Sequence, residues 1–220
     1  MGLSLDNQYW TSRGYAVLLL NYAGSTGHGR AYRRLLNGRW GVIDSSDAAD
    51  AANYLAAKKV VDGTRMGVFG RSAGGYLAMK TIVDFPSVWA GAVSLFGISE
   101  TKTWFERTHK FESWYGDDLV FSHRGMRREE KEKVHWERSP VCHVDRIQAP
   151  LLLLQGLEDK VVLPEQAEQM KRKMQEIGKE VELMEFAGEG HGTWRGESQR
   201  RLIKAHEDWW RKTLLRVGNE

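Results

Sequence analysis

The stretch GVFGRSAGGYLAMK, residues 67–80, places a serine between two glycines, after a short apolar run and before a segment typical of a helix. Gly70 to Gly74 fits the pattern G-x-S-x-G, which is typical of a sharp strand-to-helix turn that exposes the serine. A side chain at either glycine would strike the neighbouring strand or helix, so we expect the tight turn to require both. Because such pentapeptides also occur by chance, Ser72 is either a nucleophile or a small residue in an ordinary turn.

Short apolar segments alternate with amphipathic segments along the chain. We predict strands at residues 15–20, 65–69, 89–96, 149–156 and 181–186, and helices at 44–59, 73–83, 164–178 and from about 197. Strands that alternate with helices of roughly 10 to 16 residues predict a mostly parallel sheet with helices on both faces. In the last helix, a stripe of apolar residues at helical spacing is expected to face the core: Leu202, Ile203, Trp210 and Leu214.

Composition limits the class of protein. The 220 residues are 41% hydrophobic and 28% charged, which is typical of a globular domain with a real core. The net charge is +3 and basic residues are interleaved with acidic ones, so we expect no nucleic-acid partner. The apolar runs are too short to span a bilayer, the first residues do not resemble a signal peptide, and the single Cys142 cannot form an intrachain disulfide. We expect one cytoplasmic domain at residues 1–220 without a membrane partner, with a cap-like insertion at about 97–138 that is rich in Trp, His and charge.

A serine nucleophile needs a base, and the base needs an orienting acid. Asp159 follows the predicted strand 149–156, with Glu158 as an adjacent rival for its role, and His191 follows the strand 181–186 in a glycine-rich loop. In a parallel sheet the loops after the strand C-termini open on one edge, so Ser72, Asp159 and His191 are expected to meet there. Alternatively, Asp159 is an acidic residue of a surface loop and His191 is an ordinary turn residue.

Metal and cofactor binding have weak signals. Two histidines and the cysteine, His135, Cys142 and His143, lie near one another in sequence without a C-x-x-C or H-E-x-x-H frame. The loop GSTGHG, residues 24–29, lacks the ending of a phosphate-binding loop. We therefore predict neither a metal nor a cofactor.

With these residues in view, the chain resembles the catalytic domain of the prolyl oligopeptidase family of serine peptidases, close to its acylaminoacyl-peptidase and dipeptidyl-peptidase-like branch. The matching stretches are SRGYAVLLLNYAGSTGHGR, GRWGVIDSSDAADAANYL, GVFGRSAGGYLAMK, SPVCHVDRIQAPLLLLQGLEDKVVLPEQAEQM and GEGHG. The resemblance implies an α/β-hydrolase fold and hydrolysis of peptide or acyl-peptide bonds through an acyl-enzyme. Two alternatives stay open: a small-ester carboxylesterase with the same three residues, and a catalytically impaired fragment that acts as an interaction module.

The resemblance also implies roles for individual residues. Ser72 would be the nucleophile, His191 the general base and then acid, and Asp159 the orienting carboxylate, while the backbone N–H of Ala73 would be an oxyanion donor. Val162 would line the pocket for the substrate side chain before the scissile bond. Three aromatic residues are candidates for the rest of that pocket or for the cap core: Trp104, Trp114 and Tyr115. Val161 departs from relatives that carry Arg or Asn there to hold a substrate carbonyl.

Two larger departures concern the N-terminal side. Members of the family usually carry a long β-propeller, and residues 1–220 contain none. The H-G-G-type segment, which supplies a second oxyanion donor, is also absent, and its strand would lie between the predicted strands at 15–20 and 65–69. We therefore expect an N-terminally truncated α/β-hydrolase domain that lacks its first strands. Either the neighbouring strands close up, or a homo-oligomer or a separate partner supplies the strand, or the chain is a fragment.

Overall fold

The computed structural model describes residues 4–107, 116–123, 125–192, 194 and 196–216. Within these residues the sheet consists of four strands, β1 (Gly67–Arg71), β2 (Gly91–Leu95), β3 (Leu151–Gly156) and β4 (Val181–Phe186). They are hydrogen-bonded in the order β1-β2-β3-β4, and every pair is parallel. The four strands predicted beyond residue 60 are thus confirmed, with shifted ends.

Helices occupy the segments between and after the strands. They are α1 (Leu5–Thr11), α2 (Gly29–Arg34), α3 (Ile43–Ala57), α4 (Ala73–Asp84), α5 (Thr101–Arg107), α6 (Arg128–Arg138), α7 (Glu165–Glu176) and α8 (Gly196–Trp210). A 3-10 helix (Pro140–Arg146) precedes β3, and a π-helical turn (Arg211–Leu215) extends α8. None of the described helices is long and apolar enough to cross a membrane.

The sheet carries helices on both faces, as predicted. Successive leucines of β3 point to opposite sides because side chains alternate along a strand. Leu151 and Leu153 belong to a core cluster with residues of α4, the 3-10 helix and α7, whereas Leu152 and Leu154 belong to a second cluster with residues of α8. The second cluster contains three of the four residues predicted to face the core from the last helix, Leu202, Trp210 and Leu214, with Ile203 partly buried against it. The fold is therefore α/β.

The strand predicted at residues 15–20 is wrong. This segment forms no strand with any described part of the chain. Val17, Leu18 and Leu19 expose 39%, 55% and 68% of their surface, although they belong to an apolar run typical of a buried strand. The physical reason is that no described strand lies beside it, so its backbone gains no ladder hydrogen bonds and the side chains of Val17, Leu18 and Leu19 have no adjacent strand to pack against.

The sheet has an open edge at β1. Ser72 N–H donates to the Leu95 carbonyl of β2 at 3.0 Å, and backbone groups point to alternate sides along a strand. Gly67, Phe69 and Arg71 therefore direct their N–H and C=O groups away from β2, where no described strand accepts them. Phe69 is 40% exposed. Of the three alternatives, the one in which the neighbouring strands close up is therefore not what the described residues show.

A buried histidine lies on the face of the sheet near this edge. His206 of α8 is 3% exposed, and its ring contacts those of Trp10, Phe69 and Trp210, with centroids 4.7, 4.5 and 5.1 Å away. Its Nε2 atom has no hydrogen-bond partner among the described residues. Burial in this aromatic cage, and to a smaller extent the Arg71 charge, lowers the pKa of His206 to about 3. The imidazole is therefore neutral in the folded protein at neutral pH.

The first prediction concerns stability in acid. Because the folded pKa of His206 lies below its unfolded value of 6.5, protons bind preferentially to the unfolded chain as pH falls from 6.5 toward 3, and stability is lost in that window. At pH 5 the loss from this group amounts to about 2 kcal/mol. We expect His206→Leu to remove this part of the pH dependence. Urea unfolding of both proteins at pH 7.5 and pH 5 measures it.

The control for this prediction is His28→Leu, since His28 is exposed. The buried carboxyl of Asp44 has its pKa raised to about 6 by desolvation, so its contribution to stability changes in the opposite direction over the same pH range. Asp44 is present in the wild-type chain and in both variants, so its contribution cancels when their changes in unfolding free energy are compared. If His206→Leu loses as much stability between pH 7.5 and pH 5 as the wild-type chain, the assignment to His206 is wrong.

Candidate active site

Ser72 stands in a strained turn between β1 and α4. Its backbone has φ +54° and ψ −119°, a conformation that costs a residue with a side chain about 1–3 kcal/mol. Two hydrogen bonds hold the turn: Ser72 N–H donates to Leu95 O at 3.0 Å, and Tyr76 N–H donates to Ser72 O at 2.9 Å. The serine therefore projects from the C-terminal edge of the sheet at the first turn of a helix.

The glycines of the turn differ in how closely other atoms surround the position that a Cβ would occupy. A Cβ at Gly70 would collide with the backbone carbonyl of Gly74, as the motif predicts. The same expectation for Gly74 is wrong, because a Cβ there would meet nothing within 4 Å. The crowded position is the next one, Gly75, where a Cβ would lie 2.8 Å from Gly97 Cα and 2.8 Å from Ser94 Oγ. This glycine lets α4 approach the loop after β2.

A second prediction follows from this difference. We expect Gly75→Ala to destabilise the protein by about 1–3 kcal/mol, because the new methyl group meets backbone that cannot move aside. Gly74→Ala is the matched control, since both positions lie in the first turn of α4 and only one is crowded. Chemical unfolding of the two variants measures the difference. Equal effects of the two substitutions would contradict the role given to Gly75.

The three residues expected to meet do lie together. Ser72 Oγ is 2.9 Å from His191 Nε2, and His191 Nδ1 is 2.7 Å from Asp159 Oδ2. Ser72 follows β1, Asp159 lies in the loop after β3 and His191 in the loop after β4, so each is delivered by the C-terminal end of a parallel strand. A carboxylate can only accept, which assigns the proton to Nδ1 and leaves Nε2 to accept from the serine hydroxyl.

The acid in this group is Asp159 rather than its neighbour. Asp159 is 2% exposed, and its Oδ1 accepts the backbone N–H groups of Val161 and Val162, each at 2.9 Å. Glu158 is exposed, and only its backbone contributes, through an N–H that donates to Glu189 O at 2.9 Å. Asp159 thus has one oxygen anchored to its own loop and the other free to orient the imidazole.

The arrangement has the chemistry of an activated serine. Neutral His191 can accept the hydroxyl proton at Nε2, and the imidazolium that results would lie beside the Asp159 carboxylate. Ala73 is the first residue of α4, and the N–H groups of a first helical turn have no acceptor within the helix. Negative charge that develops near Ser72 would therefore meet a backbone donor.

The residues predicted to form a substrate pocket are not all placed as expected. Val162 is fully buried in a core cluster with Trp40 and Tyr76, so its side chain does not face a cleft. A shallow cleft nearby is lined instead by Val161, Trp104, Leu163 and polar residues of α5 and α7. Trp104 lines this cleft and also packs on the core, with its ring centroid 6.0 Å from that of Trp40. Trp114 and Tyr115 lie outside the described residues.

Two aromatic residues beside His191 were not predicted from the sequence. The ring of Phe96, the residue after β2, lies 4.4 Å from the His191 ring. Trp194, three positions after His191, donates its indole N–H to Gly190 O at 2.8 Å. The only signal for either was an aromatic residue at a predicted strand end or shortly after His191, which many core residues share.

The two histidines considered for a metal have other partners, and the thiol of Cys142 is partly buried. His135 Nδ1 lies 2.9 Å from Thr101 Oγ1, and His143 Nε2 lies 3.0 Å from Trp136 O. Burial raises the pKa of the Cys142 thiol, which disfavours the thiolate that binds metals. Over the described ranges, no group of three or more His, Cys, Asp or Glu residues is arranged to hold a metal ion.

The fold and this site define an α/β-hydrolase, and comparison with protein-family models gives its family. Residues 2–216 match the model of the prolyl oligopeptidase family, and the chain belongs to this family. The family inferred from the sequence motifs is therefore confirmed.

Individual relatives are peptidases of greater length. A puromycin-hydrolyzing peptidase of Mycobacterium tuberculosis is 39% identical, with a TM-score of 0.91 over 96% of this chain and 31% of its own. Dipeptidyl aminopeptidase BIII of Pseudoxanthomonas mexicana is 30% identical over 88% of this chain and 28% of its own length. An acylamino-acid-releasing enzyme of Arabidopsis thaliana is 29% identical over 83% and 24%. The chain thus spans about three tenths or less of the length of these relatives.

Proposed function

We propose that this chain is a serine peptidase that hydrolyses peptide or acyl-peptide bonds through an acyl-enzyme on Ser72. The observation that carries the proposal is the continuous hydrogen-bonded series from Ser72 Oγ through His191 to the buried Asp159. The strained backbone of Ser72 supports it as well, because such strain is concentrated at functional sites. Membership of a peptidase family agrees with this chemistry.

In the proposed reaction, Ser72 Oγ attacks the carbonyl carbon of the scissile bond while His191 Nε2 takes the hydroxyl proton. The backbone N–H of Ala73 donates to the oxyanion of the tetrahedral intermediate. His191 then gives the proton to the leaving amine, the C–N bond breaks and an ester forms on Ser72. Water attacks this ester with His191 again as base, and the acid product leaves with Ser72 regenerated. Asp159 holds the imidazole in the required tautomer throughout.

For the substrate class, we propose amides of short aminoacyl or acyl-peptide groups. The support comes from relatives that are named for puromycin hydrolysis, dipeptidyl aminopeptidase activity and the release of acylamino acids. The cleft beside Asp159, lined by Val161 and Trp104, is the proposed place for an apolar substrate side chain. Helix α5, which belongs to the insertion expected at about 97–138, would form its outer wall because it lines the same cleft.

The open edge of β1 favours a second element of the proposal, a strand supplied from outside residues 1–220. The free N–H and C=O groups of Gly67, Phe69 and Arg71, and the exposed apolar segment at 17–19, would both be covered by an added strand. If no strand is added, the chain corresponds to the alternative of a catalytically impaired fragment that acts as an interaction module. Hydrogen exchange tests whether a strand is added at this edge. The amide protons of Gly67, Phe69 and Arg71 should exchange fast in residues 1–220 alone and slowly when the added strand is bound to β1.

The experiment that tests the main proposal measures reaction and specificity together. The purified chain is treated with a fluorescent fluorophosphonate, and hydrolysis of puromycin, acyl-peptide arylamides and nitrophenyl esters is followed in parallel. Labelling with amide hydrolysis supports the peptidase. Labelling with ester hydrolysis alone would make the protein a carboxylesterase, and a folded chain that does not label would contradict an assembled nucleophile. A cytoplasmic location is part of the proposal, supported by the single Cys142, which cannot form an intrachain disulfide.

A further inference from the structure

The loop that carries His191 has little conformational restraint of its own. It follows β4 and contains glycines at positions 188, 190 and 192, and Gly188 has φ +78°. Glycine makes a backbone permissive, so the imidazole can hold one orientation only if the side chains of other residues fix it. His191 itself hydrogen-bonds only through its ring nitrogens to Ser72 and Asp159 in the described structure. The restraint must come from residues around the loop.

Trp194 supplies one such restraint. Its side chain is 3% exposed and packs against Phe186 of β4, with ring centroids 4.5 Å apart. From this fixed position the indole N–H donates to the carbonyl of Gly190, the residue before His191, at 2.8 Å. A rigid aromatic side chain in the core thus holds the peptide group that leads into the histidine.

Phe96 supplies a second restraint, on the face of the imidazole. It is 4% exposed, its ring lies 4.4 Å from that of His191 at an angle of 52°, and it also contacts Trp194 at 5.9 Å. Its backbone is in the left-handed region with φ +41°, and its N–H donates to Leu154 O at 2.8 Å. This conformation is strained for a residue with a side chain, and such strain clusters at functional sites.

We propose that Phe96 and Trp194 are positioning residues for His191, which keep its Nε2 in line with Ser72 Oγ. This inference rests on the proposed function and deepens it. Leu95, directly before Phe96, accepts the Ser72 N–H, so one strand end fixes both the serine turn and the ring against the histidine. A displacement of the base by about 1 Å from its partner can cost up to about a hundredfold in rate.

The test compares Trp194→Phe with Trp209→Phe. Trp209 is the matched control because it lies in the same core cluster, is 2% exposed and donates its indole N–H to the Ala92 carbonyl at 3.0 Å, away from His191. Both changes keep an aromatic ring and remove one such hydrogen bond. We expect fluorophosphonate labelling to slow by roughly tenfold or more in Trp194→Phe and to stay within about twofold of wild type in Trp209→Phe. Phe96→Leu, which keeps an apolar side chain, should slow labelling similarly.

A second readout does not depend on activity. The His191 Nδ1 proton, held between the ring and Asp159 Oδ2, should give a downfield proton resonance. We expect this signal to exchange faster with water in Trp194→Phe and Phe96→Leu, but not in Trp209→Phe. Equal behaviour of Trp194→Phe and Trp209→Phe in both readouts would overturn the inference. If the wild-type chain does not label at all, the proposed function fails, and the resonance still decides whether these residues position His191.

Discussion

Replacement of Ser72 by alanine is expected to lower kcat by roughly 10⁵–10⁶-fold. The reason is that the proposed acyl-enzyme forms on Ser72 Oγ, and the described site holds no second hydroxyl against His191 Nε2. Hydrolysis of the best substrate found for the wild-type chain, measured beside fluorophosphonate labelling, tests it. Both signals should disappear together.

The control for this change is Ser87→Ala, because Ser87 is exposed and follows the C-terminal end of α4, whereas Ser72 precedes its N-terminal end. Thermal unfolding should show that Ser72→Ala is folded, since the substitution removes one oxygen that bonds only to His191. Turnover by Ser72→Ala within about tenfold of wild type would rule out an acyl-enzyme on this residue, because loss of a nucleophile costs far more.

Much of the fold could be predicted because local and long-range signals agree there. The run of leucines at 151–154 is apolar on both faces, which is typical of a central parallel strand, and the structure buries all four. The meeting of Ser72, Asp159 and His191 could be predicted for a topological reason. Three strand ends on one edge of a parallel sheet bring their following loops together, whatever the detailed packing.

The errors arise where structure depends on a neighbour that a pattern cannot show. Residues 15–20 have the composition of a strand, but strand formation needs a hydrogen-bonding partner, and none of the described strands lies beside them. The motif required Gly70 and Gly74 equally, yet crowding falls on Gly70 and Gly75, because it depends on how α4 approaches the Gly97 loop. Val162 was expected at a surface pocket, but the turn that anchors Asp159 directs it into the core.

The two positioning residues could not be predicted from the sequence either. Phe96 and Trp194 lie almost a hundred residues apart, and nothing in their local sequence relates them. They come together only because β2 and β4 flank β3 and their following loops converge over His191. A pattern of types and spacings identifies the groups that react, whereas the groups that hold them still are defined by packing.

Replacement of Asp159 by asparagine is expected to lower kcat/KM by about 10⁴-fold while leaving the fold intact. The asparagine oxygen can still accept the N–H groups of Val161 and Val162, so the loop keeps its anchors. Its amide N–H₂ would then face His191 Nδ1 and favour the tautomer with the proton on Nε2. In that tautomer the imidazole cannot accept the proton of Ser72 Oγ, and the base is lost without any change of position.

The matched control is Glu158→Gln, which makes the same chemical change one residue earlier at an exposed side chain. We expect it to stay within about threefold of wild type, as surface substitutions usually do. The two variants, measured for kcat/KM and for fluorophosphonate labelling, separate the two acids that the sequence left as rivals. A loss in Glu158→Gln as large as that in Asp159→Asn, or activity of Asp159→Asn within about tenfold of wild type, would assign the orienting role elsewhere, because a tautomer effect on the base is expected to be far larger.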